Sequence, residues 1–247
     1  MSDATTLAVR GLRLSLRNVD GLITALVLPI MLMVLFVYLF GGAIHTGGQY
    51  VDYVVPGVLL VCVSFGAATT AVSVAHDLSG GIIDRFRSLD VRGEALINSH
   101  VLASVARNLM STVLVFGVAF AIGFRSDASA LNWLGAIGVL AMFVIALSWL
   151  AAAIGIMARS AESASGMTFL ISFLPYPSSA FVPTRTLPSW LRGFAEHQPA
   201  TPVINAMRAL LHGDAVGAAA WQAAAWSLGL AAVSVVLAGV LFRKRAR

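Results

Sequence analysis

The length, composition and charge of this 247-residue chain exclude a soluble globular protein. Apolar residues make up 59% of it, charged residues make up 11%, and the mean hydropathy is +0.88, whereas soluble domains have about 25% charged residues. The formal net charge of +5 comes from basic residues scattered over short segments, which is typical of membrane proteins and argues against a nucleic-acid partner.

The first predicted element is an N-terminal helix within residues 1–20. Its apolar residues recur at helical spacing, and its basic residues occupy a neighbouring face; the apolar set is Val9, Leu12, Leu16 and Val19. This pattern is typical of a helix that lies in the inner membrane interface. The alternative is that the segment is only a basic flank of the first transmembrane helix.

Six uncharged runs follow, at 21–44, 53–75, 108–124, 128–158, 163–184 and 215–242. A helix crosses the hydrocarbon core with about 20 apolar residues, so most runs suffice alone, and the third is completed by uncharged residues before Arg107. The runs lack the alternating polarity of barrel strands, and lipid then leaves only helices. The sequence therefore predicts an all-α integral membrane protein with six transmembrane helices. The alternative that the first run is a signal peptide is less favoured, because the run is longer than the apolar core of a signal peptide.

The basic residues predict the orientation of these helices. With six spans, twelve of the sixteen Lys and Arg residues fall on one side, namely Arg10, Arg13, Arg17, Arg85, Arg87, Arg92, Arg107, Arg159, Arg243, Lys244, Arg245 and Arg247. Basic residues are retained on the cytoplasmic side, so both termini are expected in the cytoplasm. The protein itself is expected in the cell inner membrane. Tyr50, Tyr53, Trp133, Trp190 and Trp221 would then be interfacial anchors on the outer side.

The segment at 77–96 between the second and third spans is unusually polar. It holds seven of the 27 formally charged residues of the chain. Leu78, Ile82, Phe86 and Leu89 nevertheless recur at helical spacing, so the segment is predicted to be a cytoplasmic helix with one apolar face, suited to a groove on another protein. The alternative is a solvated loop at the lipid headgroups.

The outer segment at 183–213 is predicted to contain two short helices against or partly within the outer leaflet. Pro175 and Pro177 should end the fifth span. Thr201 is a candidate cap of the second short helix, and Gly213 can end that helix.

The sequence carries no motif for catalysis, for a metal or for a cofactor. The single lysine is Lys244, so a glycine-rich nucleotide-binding loop with its lysine is absent. The five histidines lack metal-ligand spacing, and no Gly-x-Ser-x-Gly elbow occurs. The chain is therefore expected not to be an enzyme.

Transport is the expected activity of such a chain, and its energy source has to be inferred. An ion-coupled carrier needs ionisable or coordinating groups in its spans, and the predicted spans are essentially free of Asp, Glu, Lys and Arg. A docking helix inside the cell favours a motor on a separate subunit. An ion-coupled secondary carrier and a non-transporting scaffold or sensor remain the alternatives.

Two stretches resemble a known family. "DLSGGIIDRFRSLDV" at 77–91 and "SSAFVPTRTLPSWLRGFAEHQPATPVINAMRALLHG" at 178–213 resemble the signature regions of type-2 ABC transporter permeases, in particular the daunorubicin-resistance-type drug exporters. The resemblance extends over nearly the whole chain. It implies one transmembrane permease domain, 1–247, with a coupling helix at 77–96 and outer re-entrant helices at 183–213.

The resemblance also implies the partners and the activity. The permease would pair with a second copy or a close paralogue and with two ATP-binding-cassette ATPase subunits, which bind ATP and Mg²⁺. The complex would export a drug-like, lipid-like or other amphipathic substrate by alternating access.

The resemblance finally implies functional positions. Contact with the ATPase would come from Asp84, Arg85, Phe86, Arg87 and Leu89, although Asp90 stands where the family usually has proline. Spans two and five would border the substrate route, where the candidates are Ser64, Phe65, Thr69, Ser73, Phe169, Ser172 and Phe173. Hydroxyl residues also serve ordinary helix packing in membranes, and phenylalanine is common in cores and at lipid.

Overall fold

The computed structural model of the chain describes residues 19–80 and 93–245, and this part is all-helical. The helices are α1 (Val19–Leu35, continued by a π-helical turn at Phe36–Phe40), α2 (Tyr50–Ser79), α3 (Gly93–Ala121), α4 (Ala130–Met157), α5 (Ala161–Phe173), α6 (Ser189–His197), α7 (Ala200–His212) and α8 (Ala218–Arg245). A 3₁₀ turn at Thr184–Thr186 precedes α6. No strand occurs within these two ranges, so the prediction of an all-α protein is confirmed.

Four of these helices are long and apolar enough to cross a membrane. They are α2, the Leu96–Ala121 part of α3, α4 and α8, with 26 to 30 residues each. A 30-residue helix is about 45 Å long and exceeds the hydrocarbon thickness of about 30 Å. By the same criteria α1 contributes a shorter apolar helix, Val27–Phe40, and α5 has 13 residues. The described helices are consistent with the predicted multi-pass membrane protein, while the count of six spans stays a prediction.

Helix α2 is the centre of the bundle and packs against α1, α3, α4, α5 and α7. Glycines permit its closest contacts. A Cβ built on Gly57 would lie 2.6 Å from Ala180, and one built on Gly155 of α4 would lie 2.6 Å from the carbonyl oxygen of Ala71. Small residues allow helix backbones to approach closely in membranes, and here they let α4 and the segment after α5 close around α2.

Helix α8 lies at the edge of the bundle and packs on α4 and α7. Many of its exposed side chains are aliphatic or aromatic, including Trp221, Leu228 and Val236, while Gln222 and the basic last turn are exposed as well. At its last turn, the Arg245 guanidinium donates to the carbonyl oxygens of Ile156 and Ala158, the latter at 2.9 Å. A cation thereby satisfies carbonyl groups at the C-terminal end of α4, which is favourable for the helix dipole.

The outer segment agrees with the sequence analysis in three details and differs in one. Helix α5 ends at Phe173, just before Pro175 and Pro177, and irregular turns follow. Two short helices, α6 and α7, are present, and Gly213 ends α7 in the left-handed conformation with φ 75°. The prediction that Thr201 caps α7 is wrong, because α7 begins at Ala200 after Pro199 and the Thr201 hydroxyl contacts other segments.

Candidate functional site

The predicted ATPase contact falls outside the described residues. This applies to Asp84, Arg85, Phe86, Arg87 and Leu89, and also to Asp90. The helices on both sides are described, however: α2 ends at Ser79 and α3 begins at Gly93. The predicted coupling segment is therefore attached directly to two long membrane helices.

The ends of α2 and α3 that flank residues 81–92 are joined by a side-chain pair. Nε2 of His100 on α3 lies 3.0 Å from Oδ2 of Asp77 on α2. The pair therefore joins α2 and α3 close to the segment that connects the two helices. A displacement of that connection would consequently act on both helices together.

The α2 residues predicted to line the substrate route are mostly bonded within their own helix. The Thr69 hydroxyl donates to the Gly66 carbonyl oxygen at 2.8 Å, and the Ser73 hydroxyl donates to the Thr69 carbonyl oxygen at 2.9 Å. Ser64 is fully buried, and Phe65 is partly buried against the core. Hydroxyl groups that bond their own helix are typical of membrane helices, so these positions do not form an open polar channel in the monomer.

The α5 residues of the predicted route face different ways. Phe169 is 60% exposed and Phe173 is 48% exposed, whereas Ser172 is 5% exposed. The Ser172 hydroxyl donates to the Thr168 carbonyl oxygen one turn earlier. Of the three, only the two phenylalanines can meet a ligand or another chain without rearrangement.

A buried polar cluster joins α2, α3 and α4 and was not anticipated from the sequence. Ser148 of α4 and Thr70 of α2 both donate to the Ser104 hydroxyl oxygen, at 2.9 and 2.8 Å. The Arg107 guanidinium donates to Thr70 Oγ1 at 2.8 Å, and the Asn108 amide donates to the Ser104 carbonyl oxygen at 2.9 Å. Arg107 thus belongs to a candidate span, not to the cytoplasmic connection before it. Polar side chains that bond across helices fix the packing of three spans here.

A second polar arrangement holds the turns between α5 and α6. Gln198, Thr201, Asn205 and Arg208 recur at spacings of three, four and three residues, and we call them the outer polar stripe. The Gln198 amide donates to the carbonyl oxygen of Leu174 at 3.2 Å, Thr201 Oγ1 accepts from the Ser179 backbone N–H, and Asn205 Oδ1 accepts from the Ser179 hydroxyl. Irregular backbone is tolerated at membrane depth only where protein groups satisfy it, and the stripe supplies those groups.

Arg208 is the member of the stripe with the most contacts. Its guanidinium donates to the carbonyl oxygens of Tyr53 and Ser179, at 3.1 and 2.7 Å, and to Asn205 Oδ1 at 2.9 Å. It also lies 3.7 Å from the centroid of the Tyr53 ring. The planar guanidinium of an arginine has five N–H donors in a fixed geometry, so one side chain can make this whole set of bonds. Arg208 therefore ties α7 to α2 and to the turns after α5.

Tyr50 is buried rather than placed as an interfacial anchor, which corrects the expectation from the sequence. It is 5% exposed, and its hydroxyl donates to the carbonyl oxygen of Phe181 at 2.7 Å. Tyr53 is partly buried beneath Arg208. Trp190 is 78% exposed, as an anchor requires.

Substitution of Tyr50 and of Tyr53 by phenylalanine should have different effects on stability. Tyr50→Phe removes the bond to the Phe181 carbonyl and should lower the free energy of unfolding by about 1 kcal/mol or more. Tyr53→Phe keeps both the ring and the backbone carbonyl that Arg208 uses, so a change within about 0.5 kcal/mol is expected. Equilibrium unfolding of the purified chain in mixed micelles measures both values. Equal losses in the two variants would contradict the assignment of the Tyr50 bond.

A cavity of about 530 Å³ opens beside Arg208. Its lining combines both signs of charge, with Asp52, Asp214 and Arg208 as the charged members, and adds Tyr53 and His212. The Asp52 carboxylate also accepts from the Arg125 backbone N–H at 3.1 Å. The cavity adjoins the outer polar stripe, at the end of α2 opposite the Asp77–His100 pair.

The chain matches the family model described as ABC-2 type transporter over residues 3–212. It belongs to the ABC-2 type transporter family. The family prediction made from residues 77–91 and 178–213 is thereby confirmed. The matched region of this ABC-2 chain runs from before α1 to the end of α7, so it contains the buried polar cluster and the outer polar stripe.

Curated relatives of this ABC-2 chain include two ABC transporter permease proteins. It is 30% identical over 226 residues to the daunorubicin resistance ABC transporter permease protein DrrB1 of Streptomyces coeruleorubidus, covering 91% of this chain and 80% of the relative. It is 26% identical over 232 residues to the probable doxorubicin resistance ABC transporter permease protein DrrC of Mycobacterium tuberculosis, covering 92% and 83%. It is also 22% identical over 173 residues to the ABC transporter G family member 20 of Dictyostelium discoideum, covering 68% and 23%.

Sequence reasoning missed most of the polar residues that organise this ABC-2 chain. Gln198, Thr201, Asn205 and Arg208 recur at spacings of three, four and three residues, which is a usable signal in the sequence. The cluster around Ser104 offers no such signal, because its members lie on three helices that are distant in sequence.

Proposed function

We propose that this chain is a membrane-embedded permease subunit of an ATP-binding-cassette exporter of drug-like, lipid-like or other amphipathic compounds. The observation that carries the proposal is the family match over residues 3–212, on a chain with four helices long enough to span a membrane. The relatives named above for drug resistance support efflux as the direction of transport and drug-like compounds as cargo.

The proposed complex contains an ATPase subunit and a second permease, either another copy or a close paralogue. The ATPase binds ATP and Mg²⁺, and the permease has no cofactor and no ATPase site of its own. Support comes from the sequence, whose single lysine, Lys244, follows no glycine-rich loop. Within the described residues, no group of three His, Cys, Asp or Glu side chains could hold a metal ion.

The proposed topology has six crossings and cytoplasmic termini. The two shorter crossings are α1 with its π-helical turn and α5 with the turns that follow it. In this topology the C-terminal ends of α2, α4 and α8 lie on the cytoplasmic side. Arg159 and the basic last turn of α8 then lie on that side too, as the positive-inside rule requires. The outer polar stripe lies on the opposite side.

The proposed mechanism is alternating access driven by the ATPase. The segment at 77–96 would dock on the ATPase through Asp84, Arg85, Phe86, Arg87 and Leu89, and closure of the ATPase would displace it. The Asp77–His100 pair ties α2 and α3 at 3.0 Å, so such a displacement would move both helices. A conformational change drives transport only if the two states bind the substrate differently.

An ion-coupled carrier is the weaker candidate. The charged residue in the buried polar cluster is Arg107, which bonds Thr70, and an arginine does not release its proton in proteins. It therefore cannot serve as a proton relay. A non-transporting scaffold would leave the family match without a role.

The docking claim predicts the effect of Phe86→Asp. A carboxylate placed on the apolar face must be desolvated on docking, so we expect the co-purified ATPase activity to fall at least tenfold, about 1.4 kcal/mol. The measurement is a pull-down of the tagged chain from its native membrane in mild detergent, followed by an ATPase assay. Phe194→Asp is the matched control, because Phe194 is an exposed phenylalanine on outer helix α6.

Two results would contradict the proposal. Absence of an ATPase from the unmodified chain would remove the partner and favour the ion-coupled carrier. Equal ATPase activity in the Phe86→Asp and Phe194→Asp samples would contradict the docking of this segment on the ATPase. An efflux assay would then be needed to test the exporter assignment.

A further inference from the structure

One face of α8 carries exposed valines and ends in two cations. These residues recur at spacings of three, four, three and one; in order they are Val233, Val236, Val240, Arg243 and Lys244. The spacing places them on one side of the helix, and all five are exposed. We call the three valines, Val233, Val236 and Val240, the apolar strip.

The other side of α8 packs on the bundle. Its buried residues include Ser227, Ser234, Ala238 and Phe242. Successive residues of a helix are turned by about 100°, so Arg245 lies on this packed side, where its guanidinium donates to carbonyl oxygens at the end of α4. The last turn of α8 therefore divides its cations: Arg245 binds the neighbouring helix, whereas the two before it lie outside that contact.

No anion in the described part of the chain pairs with these two cations. Every ion pair found there involves Asp77, and none reaches Arg243 or Lys244. Arg159 adds another exposed cation at the same end of the bundle, because the residue before it accepts a bond from Arg245. The positive charge at the end of the apolar strip is consequently available to an external anion.

The dimensions of this face match those of one lipid in one leaflet. Ten residues separate Val233 from Arg243, which is about 15 Å along the helix axis. Half of the hydrocarbon core of a bilayer is also about 15 Å thick. An acyl chain that lies along the apolar strip would bring its headgroup to Arg243 and Lys244, and the headgroup that suits two cations is anionic.

Two other occupants do not suit this face. Two copies of the chain in one membrane have the same orientation, so pairing of their α8 faces would bring the cations of both copies together. Like charges at an interface are unfavourable. A small soluble anion would bind the cations but would leave the apolar strip without a role.

We propose that the face of α8 formed by the apolar strip, Arg243 and Lys244 is a binding site for an anionic phospholipid. An acyl chain packs on the valines, and the two cations bind the phosphate. The lipid is a resident partner at the edge of the bundle and not a transported substrate. The inference uses the proposed topology in one respect, because cytoplasmic termini place the site in the inner leaflet.

The test measures lipid binding to the full-length chain by native mass spectrometry from mild detergent. Phosphatidylglycerol is the anionic probe, and phosphatidylcholine with the same acyl chains is the probe without net charge. The unmodified chain should bind phosphatidylglycerol about twentyfold more tightly, at about fivefold for each cation. The double variant Arg243→Gln/Lys244→Gln should lose this preference and bind both lipids as the unmodified chain binds phosphatidylcholine.

Two control variants and one competitor make the result specific. Arg243→Lys/Lys244→Arg keeps both charges and should bind phosphatidylglycerol like the unmodified chain. Arg185→Gln/Arg192→Gln removes two exposed cations of the outer segment, and its lipid binding should also be unchanged. Glycerol 1-phosphate in excess offers the anion without acyl chains, so it should not displace bound phosphatidylglycerol.

The lipid preference of the unmodified chain tests the proposal without any variant. Equal affinity of that chain for the two lipids would overturn the proposal, and so would equal losses in the two double glutamine variants. Displacement by glycerol 1-phosphate would assign the cations to a soluble anion instead. A dimer that binds neither lipid would assign the face to a second copy of the chain.

Failure of this inference is distinguishable from failure of the proposed function. The measurement requires no ATPase, so selective binding of phosphatidylglycerol by a chain that co-purifies no ATPase would overturn the exporter assignment alone. ATP-driven efflux by a chain that binds both lipids equally would overturn the lipid site alone.

Discussion

Replacing Arg208 with alanine is expected to lower the free energy of unfolding by roughly 3 kcal/mol or more. The guanidinium donates to the carbonyl oxygens of Tyr53 and Ser179 and to the side chain of Asn205, at 2.7 to 3.1 Å. The variant leaves these buried acceptors without their donors, and hydrogen bonds to charged groups are worth about 1.5–3 kcal/mol each. Equilibrium unfolding in mixed micelles would measure the loss.

Two further substitutions make the Arg208 result specific. Arg208→Lys keeps the charge but not the planar fork, so an intermediate loss is expected. Arg192→Ala is the matched control, because Arg192 is exposed and bonds only the carbonyls of Arg185 and Leu187; its loss should stay below about 1 kcal/mol. Equal losses for Arg208→Ala and Arg192→Ala would show that the outer polar stripe contributes nothing particular.

Gly155→Ala is expected to destabilise the chain by about 1–3 kcal/mol through overpacking. The added methyl would lie 2.6 Å from the carbonyl oxygen of Ala71 and 2.7 Å from Cβ of Val74. Backbone cannot rotate away as a flexible side chain can, so α4 has to shift from α2. The same unfolding measurement applies, and efflux should fall in parallel if α2 and α4 move together.

Gly138→Ala is the control on the same helix. A Cβ there meets nothing within 4 Å, and alanine favours helix over glycine by up to about 1 kcal/mol. Stability should therefore be unchanged or slightly higher. A loss in Gly138→Ala as large as in Gly155→Ala would mean that helix propensity or insertion, not the contact with α2, controls both results.

Much of the helical framework could be predicted from hydropathy, because every span needs a run of about 20 apolar residues to cross the lipid. The uncharged run at 128–158 corresponds to α4, and the run at 215–242 corresponds to α8 within three residues at each end. The third uncharged run starts after Arg107, and its span was predicted to include the uncharged residues before Arg107; the helix α3 extends back to Gly93. The bond from Arg107 to Thr70 on a neighbouring helix was not predicted, because a one-dimensional pattern does not show contacts between helices.

The candidate site was less predictable because orientation depends on neighbours. Sequence reasoning placed Ser172 and Phe169 on the same helix, but only packing decides that one is buried and the other exposed. The same reasoning made Thr201 a helix cap from its position, whereas its hydroxyl is used by Ser179 of the preceding turns. Spacing predicts which residues share a face, and tertiary contacts decide which face is covered.

The hydroxyl groups of α2 are bonded largely to their own helix, and this suits the order of synthesis. A chain is made from its N-terminus, so α2 enters the bilayer before α3, α4 and α5 exist to cover it. Apart from Ser64, its mid-helix hydroxyls already have an acceptor one turn earlier: Thr69 and Thr70 bond Gly66, and Ser73 bonds Thr69. Thr70 Oγ1 also lies 2.8 Å from Ser104 Oγ, so the hydroxyl that α2 satisfies internally is also available for a contact with α3 once that helix is inserted.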